Sequence, residues 1–194
     1  REHHLLIFRL SGVKKDTIMG ATHFGRNQLI QTDMFTDAYR VTGRVLVGVG
    51  GIHAELANPN SSFLELQDAY ISRIHQPGEI VAHYKVAAFS KSNINFIVLQ
   101  DRREGIPVGT QHGRSIYVRG RTINAFLTVP SFEISGEIMH DGVVTPRDIL
   151  VKAIGQYLLI FSAKASASLY PEISYSGDLI LVQKDQIGIL CLDN

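Results

Sequence analysis

Apolar and polar residues alternate along much of this chain. YRVTGRVLV (39–47) and FEISGEIM (132–139) place an apolar residue at every second position, the period of a strand with one buried face. FLELQDAYI (63–71) alternates in the same way. YLLIFSA (157–163) is almost continuously apolar, which predicts a strand buried on both faces. VAAFS with INFIVL predicts a hairpin closed by KSN, and LILVQ with IGILCL predicts another closed by KDQ. One segment carries a clear helix signal, TPRDILVKAIG (145–155). Thr145 suits the N-cap, Pro146 the first turn and Asp148 the position three residues beyond the cap, while Gly155 can end the helix. Its counterpart IHAELANPN reads as a shorter, less regular turn.

These elements recur. A single shift that carries Ile30 onto Ile123 lays IQTDMFTDAYRVTGRVLV (30–47) over INAFLTVPSFEISGEIMH (123–140). Tyr39 then meets Phe132, Val41 meets Ile134, Gly43 meets Gly136 and Val45 meets Ile138. With one residue gained, Phe63 meets Tyr157, Leu64 meets Leu158 and Ala69 meets Ala163. With that residue lost again, Lys91 meets Lys184, Ile94 meets Ile187 and Leu99 meets Leu192. Three segments agreeing in one order predict an internal duplication. The expected fold is mainly β, with two tandem small β-barrel or curled-sheet units, each with at most one short helix. The expected boundaries are an extra N-terminal strand in 1–23 (LLIFRL), a first unit over 24–100, a connector over 101–116 and a second unit over 117–193.

YRVTGRV, AELANPN, FLELQDA and NINFIVL, with FEISGEI, RDILVKA, YLLIFSA and QIGILCL in the second unit, resemble small bacterial β-rich domains of unassigned function. The glycine-bearing strand followed by an apolar strand ending in Asp68-Ala69 is also similar to the Sm-type barrel, which implies a small barrel fold. The residues of the Sm RNA pocket are not matched. Ser61 and Ser62 stand before Phe63, and the late turns read Lys91-Ser92-Asn93 and Lys184-Asp185-Gln186.

Composition narrows the chemistry. The 194 residues are 45% apolar, and 19 basic against 18 acidic residues leave a net charge of +1. No global field draws the chain to DNA or to an anionic membrane. One cysteine, Cys191, excludes an intrachain disulfide framework, and its place in GILCL predicts a buried, unreactive thiol. No apolar run approaches a bilayer span of roughly 20 residues. The start, REHHLLIFRL, lacks the form of a secretory signal and reads as processed or truncated, so a cytoplasmic location is expected. The histidines show no i, i+4 zinc spacing, although His75 and His83 flank QPGE and could approach across a turn there. VGVGGIH (47–53) reads as a tight turn because neither the dinucleotide nor the Walker spacing is complete.

One local charge feature stands out. Arg102, Arg103, Arg114, Arg119 and Arg121, with Tyr117 among them, face only Glu104, and alternation would put Arg119 and Arg121 on one strand face. Arginine forks suit phosphate or carboxylate partners, and a solvated connector paired with acidic residues of the neighbouring unit is the other reading. The expected function is a non-catalytic structural or interaction module without a cofactor or metal. It would assemble with itself or with other protein subunits. The alternative is nucleic-acid or nucleotide binding through this basic patch.

Overall fold

The computed structural model describes residues 27–48, 50–106, 120–152 and 155–193. The expected N-terminal strand and most of the connector therefore lie outside the described residues. The protein is mainly β. Its first half runs β1 (Gln28–Phe35), β2 (Tyr39–Val47), α1 (Gly51–Ala57), β3 (Phe63–Arg73), β4 (Gln76–Ser90), a 3-10 turn (Lys91–Asn93), β5 (Phe96–Leu99) and α2 (Arg102–Gly105). The second half runs β6 (Arg121–Val129), β7 (Phe132–His140), α3 (Pro146–Lys152), β8 (Tyr157–Ala167), β9 (Tyr170–Gln183), a 3-10 turn (Lys184–Gln186) and β10 (Ile189–Leu192).

The ten strands among the described residues join one open antiparallel sheet, in the order β10-β6-β7-β8-β9-β5-β1-β2-β3-β4. Each half contributes a run of strands in sequence order, and β5 bridges them by pairing with β1 on one side and β9 on the other. This corrects the expected hairpins. KSN and KDQ form 3-10 turns, closed by Ile94 N–H donating to Lys91 O (3.3 Å) and Ile187 N–H donating to Lys184 O (3.1 Å). A 3-10 turn advances the chain where a hairpin would reverse it. It therefore delivers β5 to β1 and β10 to β6, away from the strand just left. The turn expected at QPGE also moves, to Ile74 and His75, and Gln76–Glu79 belong to β4.

The two helix-connected strand pairs shift register at matching places. The β2–β3 register shifts between Thr42 and Arg44, and Asp68 opposite takes φ 50. The β7–β8 register shifts between Ser135 and Glu137, and Ser162 takes φ 47. An extra residue in one strand flips the phase of every side chain beyond it. Accordingly, buried Leu64 and Leu66 are followed by buried Ala69, and buried Leu158 and Ile160 by buried Ala163 and Ala165. Close approach demands glycine in the facing strand. A Cβ on Gly136 would lie 2.6 Å from Ile160 Cγ2 and 2.8 Å from Phe161 O.

The sheet carries two cores, and its central strands feed both. Phe96, Val98, Leu158, Ile160, Ile180 and Val182 enter the core of the second half. Their neighbours Ile97, Leu99, Tyr157, Leu159, Phe161, Leu179 and Leu181 enter that of the first. YLLIFSA is thus buried on both faces, as its composition predicts. Phe35 stacks on Phe96 with centroids 4.4 Å apart. Polar contacts tie the halves as well: Asn95 donates its amide to Asp37 Oδ1 (2.9 Å) and Pro130 O (3.3 Å), and Ser131 Oγ donates to Asp37 O (2.8 Å).

Both of the longer helices pack against the sheet. In α3 the Thr145 hydroxyl accepts Asp148 N–H (3.2 Å) and donates to Asp148 Oδ2 (2.8 Å), while Thr145 N–H donates back to the same carboxylate (3.2 Å). This is the predicted capping box. α1 is as long as α3, so IHAELANPN holds a regular helix, contrary to expectation; Ile52 and Leu56 bury its apolar side. Of VGVGGIH, Val49 lies outside the described residues; Gly51 opens that helix at φ 66, its N–H donating to Gly48 O (3.0 Å). No helix among the described residues is long and apolar enough to cross a membrane.

Candidate functional site

The basic patch is only partly within the described residues: Arg114, Tyr117 and Arg119 lie outside them. Arg102 and Arg103 open α2, and Arg121 starts β6 opposite His140. Arg103 is committed to its neighbour. Its Nε donates to both Asp101 oxygens (3.0 and 2.9 Å) and its Nη2 reaches Oδ2 at 2.5 Å, while its N–H also donates to Asp101 Oδ1 (2.9 Å). These bonds hold the Asp101 carboxyl down at about 2. Glu104 moves the other way, raised by burial and then by Asp101. The turn itself seats tightly on the sheet. A Cβ on Gly105 would lie 2.4 Å from Leu179 Cδ2 and 2.6 Å from Leu99 Cδ1, so α2 covers the strands where the halves meet.

Among the described residues, three histidines make separate contacts. His83 stacks on Tyr70 (4.1 Å), and His75 lies 6.1 Å from the Tyr170 ring. His53 in α1 is mostly enclosed, its Nε2 has no partner among the described residues, and burial lowers its pKa against a weaker opposing hydrogen bond with the Gly105 backbone. Among the described residues no group of His, Cys, Asp and Glu converges as a metal site would require. A shallow cleft of about 450 Å³ opens on the β6–β7–β8 face, where Glu137, Ser162 and Lys164 line it beside Cys191.

The more distinctive feature is the pair of outer strands. β4 is fifteen residues long, and among the described residues only β3 pairs with it. Ile80, Val81, Tyr84 and Val86 are exposed on it. At the other limit, among the described residues, β10 pairs only with β6, and Ile189 is exposed. Cys191 is exposed too, which corrects the expected buried thiol. GILCL has the composition of a central strand, but it lies at the rim, where nothing described covers its far side. Composition alone cannot separate these cases: FIVL and ILCL read alike, yet FIVL is wholly buried and ILCL half open.

In comparisons with known proteins, the chain matches no family model, no curated protein and no solved structure.

Proposed function

We propose that this chain is a non-catalytic structural or interaction module, made of two related curled-sheet units, that assembles with copies of itself. What supports kinship of the units is the order of elements: strand, strand, helix, strand, strand, 3-10 turn, strand occurs twice. The two bulges fall at corresponding places, Gly43 with Asp68 and Gly136 with Ser162.

The observation that carries the assembly reading is β4. Natural sheets blunt their edges with short strands, charge or proline, because an unpaired edge is a template for another strand. β4 is long and exposes four large apolar residues, with Pro77, Glu79 and Lys85 as its only proline and charged residues. Light scattering on the size-exclusion peak at micromolar concentration tests the reading. The expected mass is a multiple of the 21.5 kDa chain; a strict monomer overturns it.

A further inference from the structure

The two open edges are the two sides of a junction that the chain already contains. Where its halves meet, β5 lies antiparallel to β9, with Phe96 opposite Val182, Ile97 opposite Leu181, Val98 opposite Ile180 and Leu99 opposite Leu179. All eight residues are buried. β10 occupies in the second half the position that β5 occupies in the first. Each follows a 3-10 turn and pairs with the opening strand of its half, Phe96 against Phe35 in one case and Ile189 against Thr128 in the other. β4 likewise matches β9. Val86, Ala87, Ala88 and Phe89 face Gln67, Leu66, Glu65 and Leu64, as Leu179, Ile180, Leu181 and Val182 face Phe161, Ile160, Leu159 and Leu158.

Burial differs where position does not. Val86 is 59% exposed and Leu179 is 0%; Ile189 is 57% exposed and Phe96 is 0%. Tyr39, which opens β2 as Phe132 opens β7, is 42% exposed, whereas Phe132 is fully buried with its ring edge-on to Phe96. Each of these three exposed residues has a counterpart that is buried where the halves meet.

We infer that chains join head to tail, with β10 of one protomer adding to β4 of the next in the register of the internal junction. Ile189 then lies opposite the partner's Phe89, Leu190 opposite the partner's Ala88, Cys191 opposite the partner's Ala87 and Leu192 opposite the partner's Val86. The partner's Tyr39 comes to Ile189 as Phe132 comes to Phe96. Such a contact is heterologous, since each protomer gives one edge and receives the other. Main-chain hydrogen bonds along the added strand supply affinity, and the alternate side chains set the register. Glu65 and Gln67 stand where β8 has Leu159 and Phe161, which leaves the free protomer's rim more polar than the internal junction. This inference rests on the self-assembly reading and specifies its contact.

Cysteine cross-linking of the full chain tests the register, because Cys191 is its single thiol. Directly opposed residues in an antiparallel pair lie about 4.5–5.5 Å apart at Cα, within disulfide reach, while the next residue points to the other face. Under oxidised glutathione, Ala87→Cys is expected to give interchain disulfides at least about tenfold faster than Ala88→Cys or the unaltered chain. Val86→Lys changes a side chain that the lone protomer exposes. It should keep the circular dichroism spectrum and reduce the scattering mass to one chain. A multimer in which Ala87→Cys links no faster than Ala88→Cys, or which survives Val86→Lys, overturns the edge contact and leaves self-assembly standing. A monomer without cross-links, as expected if another segment of the same chain covers β4, overturns both, and an intrachain disulfide overturns the head-to-tail contact.

Discussion

Phe132 of β7 meets Phe96 of β5 edge-on, with ring centroids 4.9 Å apart and planes at 82°. The two rings come from opposite halves, and both are fully buried. Truncating such a ring removes its burial energy and leaves a cavity, so Phe132→Ala should cost about 3–5 kcal/mol. Tyr39→Ala, at the corresponding but half-open place in β2, should cost under about 1 kcal/mol in a protomer held monomeric by Val86→Lys. Urea unfolding of both variants in that background checks the contrast, and equal losses would contradict the packing described.

The two bulge glycines are not equally constrained. A methyl group on Gly136 would meet Ile160 and a backbone carbonyl at 2.6 and 2.8 Å, whereas on Gly43 the closest atoms are at 3.1 and 3.2 Å. Gly136→Ala should destabilise by about 1–3 kcal/mol through overpacking. At Gly43 the smaller clash is offset by the entropy that alanine removes from the unfolded chain, about 0.4–1 kcal/mol, so Gly43→Ala should be near neutral. Paired thermal melts decide the order.

The capping box of α3 stands at the surface. Thr145→Ala removes the hydroxyl that both accepts from and donates to Asp148, and should cost about 1 kcal/mol. Thr145→Ser retains the hydroxyl and should retain most of the stability. If the two variants unfold at the same denaturant concentration, the cap is not contributing.

His53 gives the protein an acid-side sensitivity. Burial lowers its pKa below the ordinary 6.5, so the unfolded chain binds the proton more readily than the folded one. Stability is then intact above about 6.5 and declines as the pH falls below it. Unfolding midpoints at pH 7.5 and 5.5 should differ less in His53→Gln than in the unaltered chain. An unchanged difference would place the sensitivity at another group.

Local structure was readable from the residues: the alternating strands, the doubly buried YLLIFSA and the Thr145 cap each follow from composition and spacing within a few positions. Pairing was not readable. Nothing in KSN or KDQ reveals which strand receives β5 or β10, because that choice is made by strands tens of residues away. The same limit hid the exposure of Cys191, since edge and centre differ in neighbours and not in letters. Of the arginine stretch, alternation and charge mark its residues, but Arg103 pairs with Asp101 by a contact that charge counting treats only as a sum.

Neither half of the molecule encloses a core of its own. Phe35, Phe96 and Val98 complete the interior of the second half, and Tyr157, Leu159, Phe161, Leu179 and Leu181 complete that of the first. Each half is therefore a cofolding partner for the other across the connector over 101–116. A chain nicked there would stay together as a noncovalent pair and melt in one transition, and either fragment alone would be left with an unfinished interior.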